Sequence, residues 1–282
     1  MTVPLLALDT PWLLYRSFFG VPRSIKGAGE LPVGALLGTV NTILTLIDTY
    51  SPRAVVCCLG AEDARYRREL YPRYHAHREP MPAELRTQWD RAGELLAAFG
   101  WTVRGHEELE ADDVLWSCSR VEGASGGRTL IATADRDLYQ AVDQNTAVLE
   151  LRRDEPPRVI DAAGVVERSG VTPAQIPDLI ALRGDPSDGL PGARGIGAKT
   201  AAALLREHGT LAGVLAATDG LRPSIAVALT LQAEELRVFR DIATLRDVPF
   251  ERPADRATDR LGGAGAARAL GMNALARRLE AA

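Results

Sequence analysis

Lysine is nearly missing from this chain: Lys26 and Lys199 are the only two among 33 basic residues. Acids outnumber bases, giving a net charge of −4 and a pI of about 5.7, which argues against a generic nucleic-acid-coating protein with a pI above roughly 9. Cysteine is equally scarce. Cys57, Cys58 and Cys118 are the whole complement, an odd count with two adjacent and no CxxC spacing. That pattern points to reduced, buried thiols in a cytoplasmic protein rather than a disulfide framework or a thiolate metal site. No apolar run reaches the length of about 18 residues that a membrane span needs. Asp9 interrupts the first apolar run with no basic segment before it, so no signal peptide is expected. Internal repeats are absent, as are low-complexity tracts outside the Ala/Gly/Arg-rich tail.

What is present is enough for a large core, with 282 residues and 46% hydrophobic content. The first half alternates apolar runs with amphipathic stretches. Strands are expected at Val3–Asp9, Arg53–Leu59, Trp101–Val103 and Arg128–Thr133. Helices are expected at Trp12–Phe19, from Pro32 through Ile47, at Ala83–Phe99 and at Asp112–Val121. Such alternation predicts an α/β fold with a mostly parallel central sheet. From Thr172 onward the pattern is helical, at Pro173–Arg183, Ala198–His208, Ser224–Leu245 and part of Ala264–Leu279. A linker is expected near Asp154–Pro157, where acid and proline cluster.

The acids fall in four places. Asp9 ends the first strand, Glu110, Asp112 and Asp113 open a helix, Asp135 and Asp137 follow the strand ending at Thr133, and Asp185 and Asp188 flank a Pro/Gly turn. Ligands of open α/β sheets bind beyond the carboxyl ends of the strands, and the first three places share that edge. Any one pair alone reads as a helix cap or turn residue. Separate caps need not share an edge, however, and so many carboxylates together repel one another unless cations intervene. Two such cations can activate water and steady the leaving oxygen in phosphodiester cleavage.

The run Gly192-Ala193-Arg194-Gly195-Ile196-Gly197-Ala198-Lys199-Thr200 leads into an alanine-rich helix. Glycines allow close approach of a phosphate, and the helix start offers unpaired N–H groups, with Lys199 and Thr200 beside them. The spacing is not that of a Walker A loop, and the segment follows a helix rather than a strand. It predicts a helix-hairpin-helix that grips the DNA backbone without reading sequence. Arginines crowd the stretch Arg65, Arg67, Arg68, Arg73 and Arg78.

Together LALDTPWLLYRSFF (6–19), ELYPRYHAHREPMP (69–82), ELEADDVL (108–115), TADRDLYQ (133–140) and GDPSDGLPGARGIGAKTAAALL (184–205) resemble the 5′-nuclease or flap endonuclease family, which includes the nuclease domain of bacterial DNA polymerase I. The resemblance runs to about residue 250 without a polymerase, as in a stand-alone nuclease. It implies a PIN-like or resolvase-like nuclease core over 1–170, with an arch segment at about 65–100 that the arginine-rich stretch through Arg78 and Pro82 would begin. It further implies a helical subdomain over 171–282, holding the hairpin at about 173–208 and the C-terminal helices. Asp9, Glu110, Asp112 and Asp113 would serve one Mg²⁺ or Mn²⁺ ion, and Asp135, Asp137, Asp185 and Asp188 a second. Gly195, Gly197, Lys199 and Thr200 would hold duplex DNA, with a K⁺ ion at the carbonyls around Ile196 and the hydroxyl of Ser187. Arg78 and His75 would act on the phosphate, and Arg67 and Arg68 are further DNA-contact candidates. Two positions depart from the family pattern: Gly60 stands where an aspartate is usual, and His75 where a lysine is usual.

The expected activity is therefore metal-dependent hydrolysis of DNA at a 5′ flap or duplex/single-strand junction, by a monomer without membrane attachment, in replication or repair. A catalytically weak junction-binding protein, motivated by Gly60, and a PIN-like ribonuclease are the rival readings.

Overall fold

Six short segments become strands: β1 (Leu5–Asp9), β2 (Ala54–Cys58), β3 (Thr102–Arg104), β4 (Thr129–Thr133), β5 (Thr146–Glu150) and β6 (Arg158–Ile160). The computed structural model describes residues 3–152 and 155–281; Asp154, where the expected linker begins, lies outside them. The strands form one sheet in the order β3-β2-β1-β4-β5-β6, parallel throughout except for antiparallel β6. Strands β5 and β6 are not anticipated by the sequence pattern, since β6 is a three-residue edge segment and β5 is a short run among polar loops.

Crossovers α1 (Thr10–Gly20), α2 (Gly34–Tyr50), α3 (Arg65–Leu70), α4 (Ala83–Ala98) and α5 (Ala111–Ala124) connect the first four strands. Beyond the sheet come α6 (Ala162–Ser169), α7 (Ile176–Arg183), α8 (Ala198–His208), α9 (Leu211–Ala216), α10 (Pro223–Ala243), α11 (Arg260–Ala269) and α12 (Asn273–Glu280). Strand alternation sorts the core into two layers. Leu5, Ala7, Val56, Ile131 and Val148 face α5, α7, α8 and α10, whereas Leu6, Leu8, Val55, Leu130 and Leu149 face α1, α2 and α4.

The C-terminal helices do not stay with the helical region that the sequence reading assigned them to. Ala264, Ala267, Leu275 and Leu279 pack into the α1/α2/α4 layer, on the opposite face from α7–α10. The connection between α10 and α11 is an extended strap. Arg256 N–H donates to the Arg53 carbonyl at 2.9 Å, Asp259 N–H to Phe99 O at 2.8 Å, and the Trp101 indole to the Thr258 hydroxyl at 3.0 Å. Most of the stretch 65–100 is likewise packed rather than arched. Leu85, Ala92, Leu95 and Leu96 of α4 are buried, while the segment between α3 and α4, together with Trp89, borders the open cleft.

The strap is pinned by ions. Fully buried Glu122 on α5 is gripped by Arg53 and by Arg252, whose Nε lies 3.0 Å away, and Arg53 also reaches Asp255 at 2.7 Å. Burial alone would raise the Glu122 carboxyl, but hydrogen bonds from Arg53 and Arg252 outweigh it and hold the group below the usual range. A depressed carboxylate contributes stability above its unfolded value, and that contribution is lost as pH falls through the native one. Glu122→Gln is expected to destabilise the fold by about 3 kcal/mol at neutral pH in urea denaturation, because the buried Arg53 guanidinium loses its counterion and the exposed Arg252 loses a partner. The gap between variant and wild type should narrow as pH drops below 4.5, the ordinary value for this side chain.

Candidate active site

Strand order reverses between β1 and β4, and at such a switch point the carboxyl ends of the strands open a crevice. Asp9 ends β1 and caps α1, accepting the Trp12 N–H at 3.0 Å. Thr133 ends β4. Its hydroxyl donates to Asp9 Oδ2 at 2.7 Å and accepts the Asp135 N–H at 3.0 Å, so one side chain fixes both acids at the sheet edge. The Asp137 N–H donates to Asp135 Oδ1 at 2.8 Å, which curls the turn. Glu110 caps α5 and Asp112 lies in its first turn. The loop bearing Asp188 is closed by reciprocal 2.8 Å backbone bonds between Asp185 and Leu190. A cleft of about 480 Å³ is lined by Asp9, Glu110, Asp112 and Asp135 on one side, with Arg78, Trp12, Tyr15 and Trp89 on others.

Crowding shows in the proton affinities. Burial raises Asp9 to about 6, aided by the charge of Asp135 and opposed by the bonds from Thr133 and Trp12. Asp112 is pushed well above the carboxylate range by burial, then by Asp135, Asp9 and Glu110. Desolvation and the charges of Asp188 and Asp185 raise Asp135; desolvation and the charges of Asp135, Asp188 and Asp185 raise Asp137 further. Asp135 is thus the charge common to both expected groups. Among the described residues no three acidic, histidine or cysteine side chains converge tightly enough to enclose an ion by themselves. Such an edge suits hard divalent cations that take one or two direct carboxylates and complete their shells with water and phosphate.

Asp113 does not join the cleft. It is fully buried, accepts from Arg67 at 3.1 Å and the Arg246 N–H at 2.8 Å, and its other oxygen caps the Glu110 N–H. Arg67, a candidate DNA contact, is the buried partner of that network. It pairs with Glu110 at 3.0 Å and donates to Ile242 O at 3.0 Å, so it cannot reach DNA; Arg68 remains exposed. Glu110 borders the cleft with its carboxylate already bonded by Arg67, the Ala64 N–H and the Tyr74 hydroxyl.

His75 is buried with a left-handed φ of 54°, stacked on Tyr74 at 3.8 Å. Its ring nitrogens lie 2.5 Å from Asp63 and 3.1 Å from Asp188, so it braces the cleft wall instead of standing free over it. Arg78 is half exposed at the rim, 3.9 Å from Asp188. Ser187 turns its hydroxyl to Asp185. Thr133 and Tyr74 escaped the sequence reading as site residues; the hydroxyl that closes an apolar strand beside an acid was the available signal for Thr133.

Gly60 is explained by contact. A Cβ there would lie 2.4 Å from the Ala111 nitrogen and the Glu110 carbonyl carbon, because the loop after β2 presses against the start of α5. An aspartate at 60 cannot be accommodated in this arrangement, so Gly60→Asp would not add a cation ligand without moving this loop.

The hairpin joins α7 to α8. Gly195 has a φ of 78° and open space around its Cα, and Gly197 caps α8 without a side-chain bond, leaving first-turn N–H groups available. Lys199 is exposed there, Thr200 half-buried, and Ile196 anchors the loop in the core.

A doubly wound sheet with an acidic switch-point cleft, carrying a helix-hairpin-helix, defines a class of α/β nucleases. The profile for a 5′-3′ exonuclease N-terminal resolvase-like domain matches residues 4–170, and that for the 5′-3′ exonuclease C-terminal SAM fold matches 171–260. The 5′-3′ exonuclease of Streptomyces coelicolor is 40% identical over 263 residues, covering 86% of each chain, and that of Mycobacterium tuberculosis is 36% identical over 285 residues, covering 91% of this chain and 89% of its own. DNA polymerase I of Mycobacterium leprae is 35% identical over 255 residues, but the matched part is only 28% of that polymerase. The zinc-bound 5′-exonuclease of T5 superposes with a TM-score of 0.71 at 19% identity, covering 99% of this chain and 97% of that one. The catalytic core of Rad2 in complex with DNA substrate gives 0.65 at 13% identity over 99% and 93%. The chain belongs to the 5′-3′ exonuclease family and is a nuclease by that membership. No helix among the described residues is long and apolar enough to cross a membrane.

Two expectations follow from the cleft. A carboxylate raised by burial costs stability once ionised: its favourable contribution is present below its unfolded value of 3.8 and lost as pH rises through about 6 for Asp9. In EDTA, Asp9→Asn should therefore melt above wild type at pH 7.5, with the gap shrinking at pH 5; equal melting at both would show that Asp9 is not electrostatically strained. Gly60→Ala should cost about 2 kcal/mol or more through overpacking against backbone, measured by urea denaturation.

Proposed function

We propose that this protein hydrolyses DNA phosphodiesters at the junction of a duplex and a 5′ single-stranded flap, with divalent metal ions in the switch-point cleft. The observation that carries this reading is the gathering of Asp9, Asp112, Asp135 and Asp137 at one sheet edge, each held above the ordinary carboxylate range. Asp9, Glu110, Asp112 and Asp135 would hold a first Mg²⁺ or Mn²⁺, and Asp135, Asp137, Asp185 and Asp188 a second. Bound there, the cations supply an activated water and stabilisation of the leaving oxygen.

The chain's own residues do the rest. Thr133 keeps Asp9 and Asp135 at fixed separation, and Arg78 at the rim offsets phosphate charge. His75 holds Asp188 in place from behind. The free N–H groups of α8, with Lys199 and Thr200, take duplex phosphate without reading bases. Any K⁺ at the hairpin would rest on backbone carbonyls near Ile196, since the Ser187 hydroxyl is committed to Asp185. Residues 1–170 form the cutting unit in this scheme and 171–245 the duplex grip.

The test is incubation with a labelled double-flap DNA in Mg²⁺ or Mn²⁺, with and without EDTA, beside the matching RNA flap. Metal-dependent release of the DNA flap is expected, and Asp137→Ala should reduce it by at least about a hundredfold while DNA binding survives. Binding without cleavage in wild type would make the protein a junction binder, and preference for the RNA flap would make it a ribonuclease.

A further inference from the structure

The last carbonyls of an α-helix have no partner within it, and a buried helix end must find them elsewhere. At the C-terminal end of α10 those partners come from the segments that carry the acids. The Ile242 carbonyl accepts from Arg67 Nε at 3.0 Å, and Arg67 in turn holds Glu110 and Asp113. The Ala243 carbonyl accepts from Gln140 Nε2 at 3.0 Å. Just beyond, the Leu245 N–H donates to Gln140 Oε1 at 3.0 Å and the Arg246 N–H to Asp113 at 2.8 Å.

Gln140 stands at the centre of this joint. It lies in the 3-10 turn Asp137–Ala141, and its Nε2 also donates to the carbonyl of Asp137 itself at 2.9 Å. Both amide hydrogens and one acceptor site are therefore spent on backbone, tying the Asp137 turn to the end of α10. Eleven residues earlier, about 16 Å along the helix, Gln232 makes a matching joint to the hairpin. Its Oε1 accepts the Arg194 N–H at 2.8 Å, and its Nε2 donates to Gly192 O at 3.3 Å.

We propose that Gln140 is a positioning residue for cleavage, setting the Asp135–Asp137 turn against α10 and, through Gln232, in fixed register with the duplex-gripping hairpin. The inference rests on the nuclease reading above, but its test also has an arm independent of catalysis. Wild type, Gln140→Leu and Gln175→Leu are compared. Gln175 donates to Leu205 O at 2.9 Å and Gly209 O at 2.7 Å and accepts from the Thr172 N–H and hydroxyl at 3.0 Å, so its replacement loses a comparable set of bonds, none of them to an acid-bearing segment.

Mn²⁺ binding to DNA-free protein is measured by electron paramagnetic resonance, and flap cleavage is followed across a Mn²⁺ titration. Gln140→Leu is expected to bind Mn²⁺ several-fold more weakly and to cut at least about tenfold more slowly, with KM for DNA unchanged, because a small misplacement of reacting groups is costly. Gln175→Leu should lose a similar margin of melting temperature with its Mn²⁺ affinity intact. Gln232→Leu should blur the cut position over neighbouring nucleotides.

Wild-type Mn²⁺ affinity in Gln140→Leu, or an equal loss in Gln175→Leu, overturns the proposal. Gln140→Met, which fills the same space, replaces the first variant if it does not fold, and failure of both to fold overturns the proposal too by making the residue purely structural. If wild type binds Mn²⁺ but cuts no flap, the nuclease reading fails, and the binding comparison still decides the role of Gln140.

Discussion

Like charges gathered at the carboxyl ends of β1 and β4 are the constraint around which this molecule is arranged. Ionised carboxylates in a partly desolvated crevice repel one another, and nothing in their own chemistry keeps them there. They are held by groups with fixed geometry: the Thr133 hydroxyl between Asp9 and Asp135, the backbone N–H groups of two helix starts, and the closed loop from Asp185 to Leu190. The protein stores unfavourable electrostatics at one edge and offsets them with the apolar layers on both faces of the sheet.

Arg67 shows how the offset is built. A guanidinium offers five donors in a rigid fork, and here they reach Glu110, Asp113 and the carbonyl of Ile242. One buried cation thereby neutralises part of the acidic cluster and caps a helix from the hairpin side. Asp113 answers from the opposite direction by accepting the Arg246 N–H. The acidic edge and the hairpin-bearing helices share a single polar seam, and an acid beside the cleft serves that seam instead of the cleft.

The sheet, its parallel winding and most of the acids are legible in the sequence because strand periodicity and the position of Asp9 and Asp135 after apolar runs are local signals. The roles within adjacent pairs are not. Neighbours on a helix point about 100° apart, so of Asp112 and Asp113 one faces the cleft and the other the seam, and of Arg67 and Arg68 one is buried and the other exposed. Sequence spacing says that they diverge without saying which goes where; the end of α10, more than a hundred residues later, decides. The contact that excludes a side chain at Gly60 and the return of α11 and α12 to the far face are long-range in the same sense. The family matches end at residue 260, where α11 begins, and the helical periodicity of the tail does not say which layer receives it.

The strap from α10 to α11 has a mechanical consequence. A subdomain attached through one linker can swing; one whose chain enters along β6 and α6 and leaves pinned across β2, β3 and α5 is mounted at two points, like a beam fixed at both ends. The angle between hairpin and sheet edge is then constrained from both ends of the subdomain. On the nuclease reading proposed above, a nucleic acid that bends at an unpaired step would fit this frame better than a straight, continuous duplex. Discrimination of substrate shape would in that case be a matter of stiffness, decided before any group on the protein contacts a reacting atom.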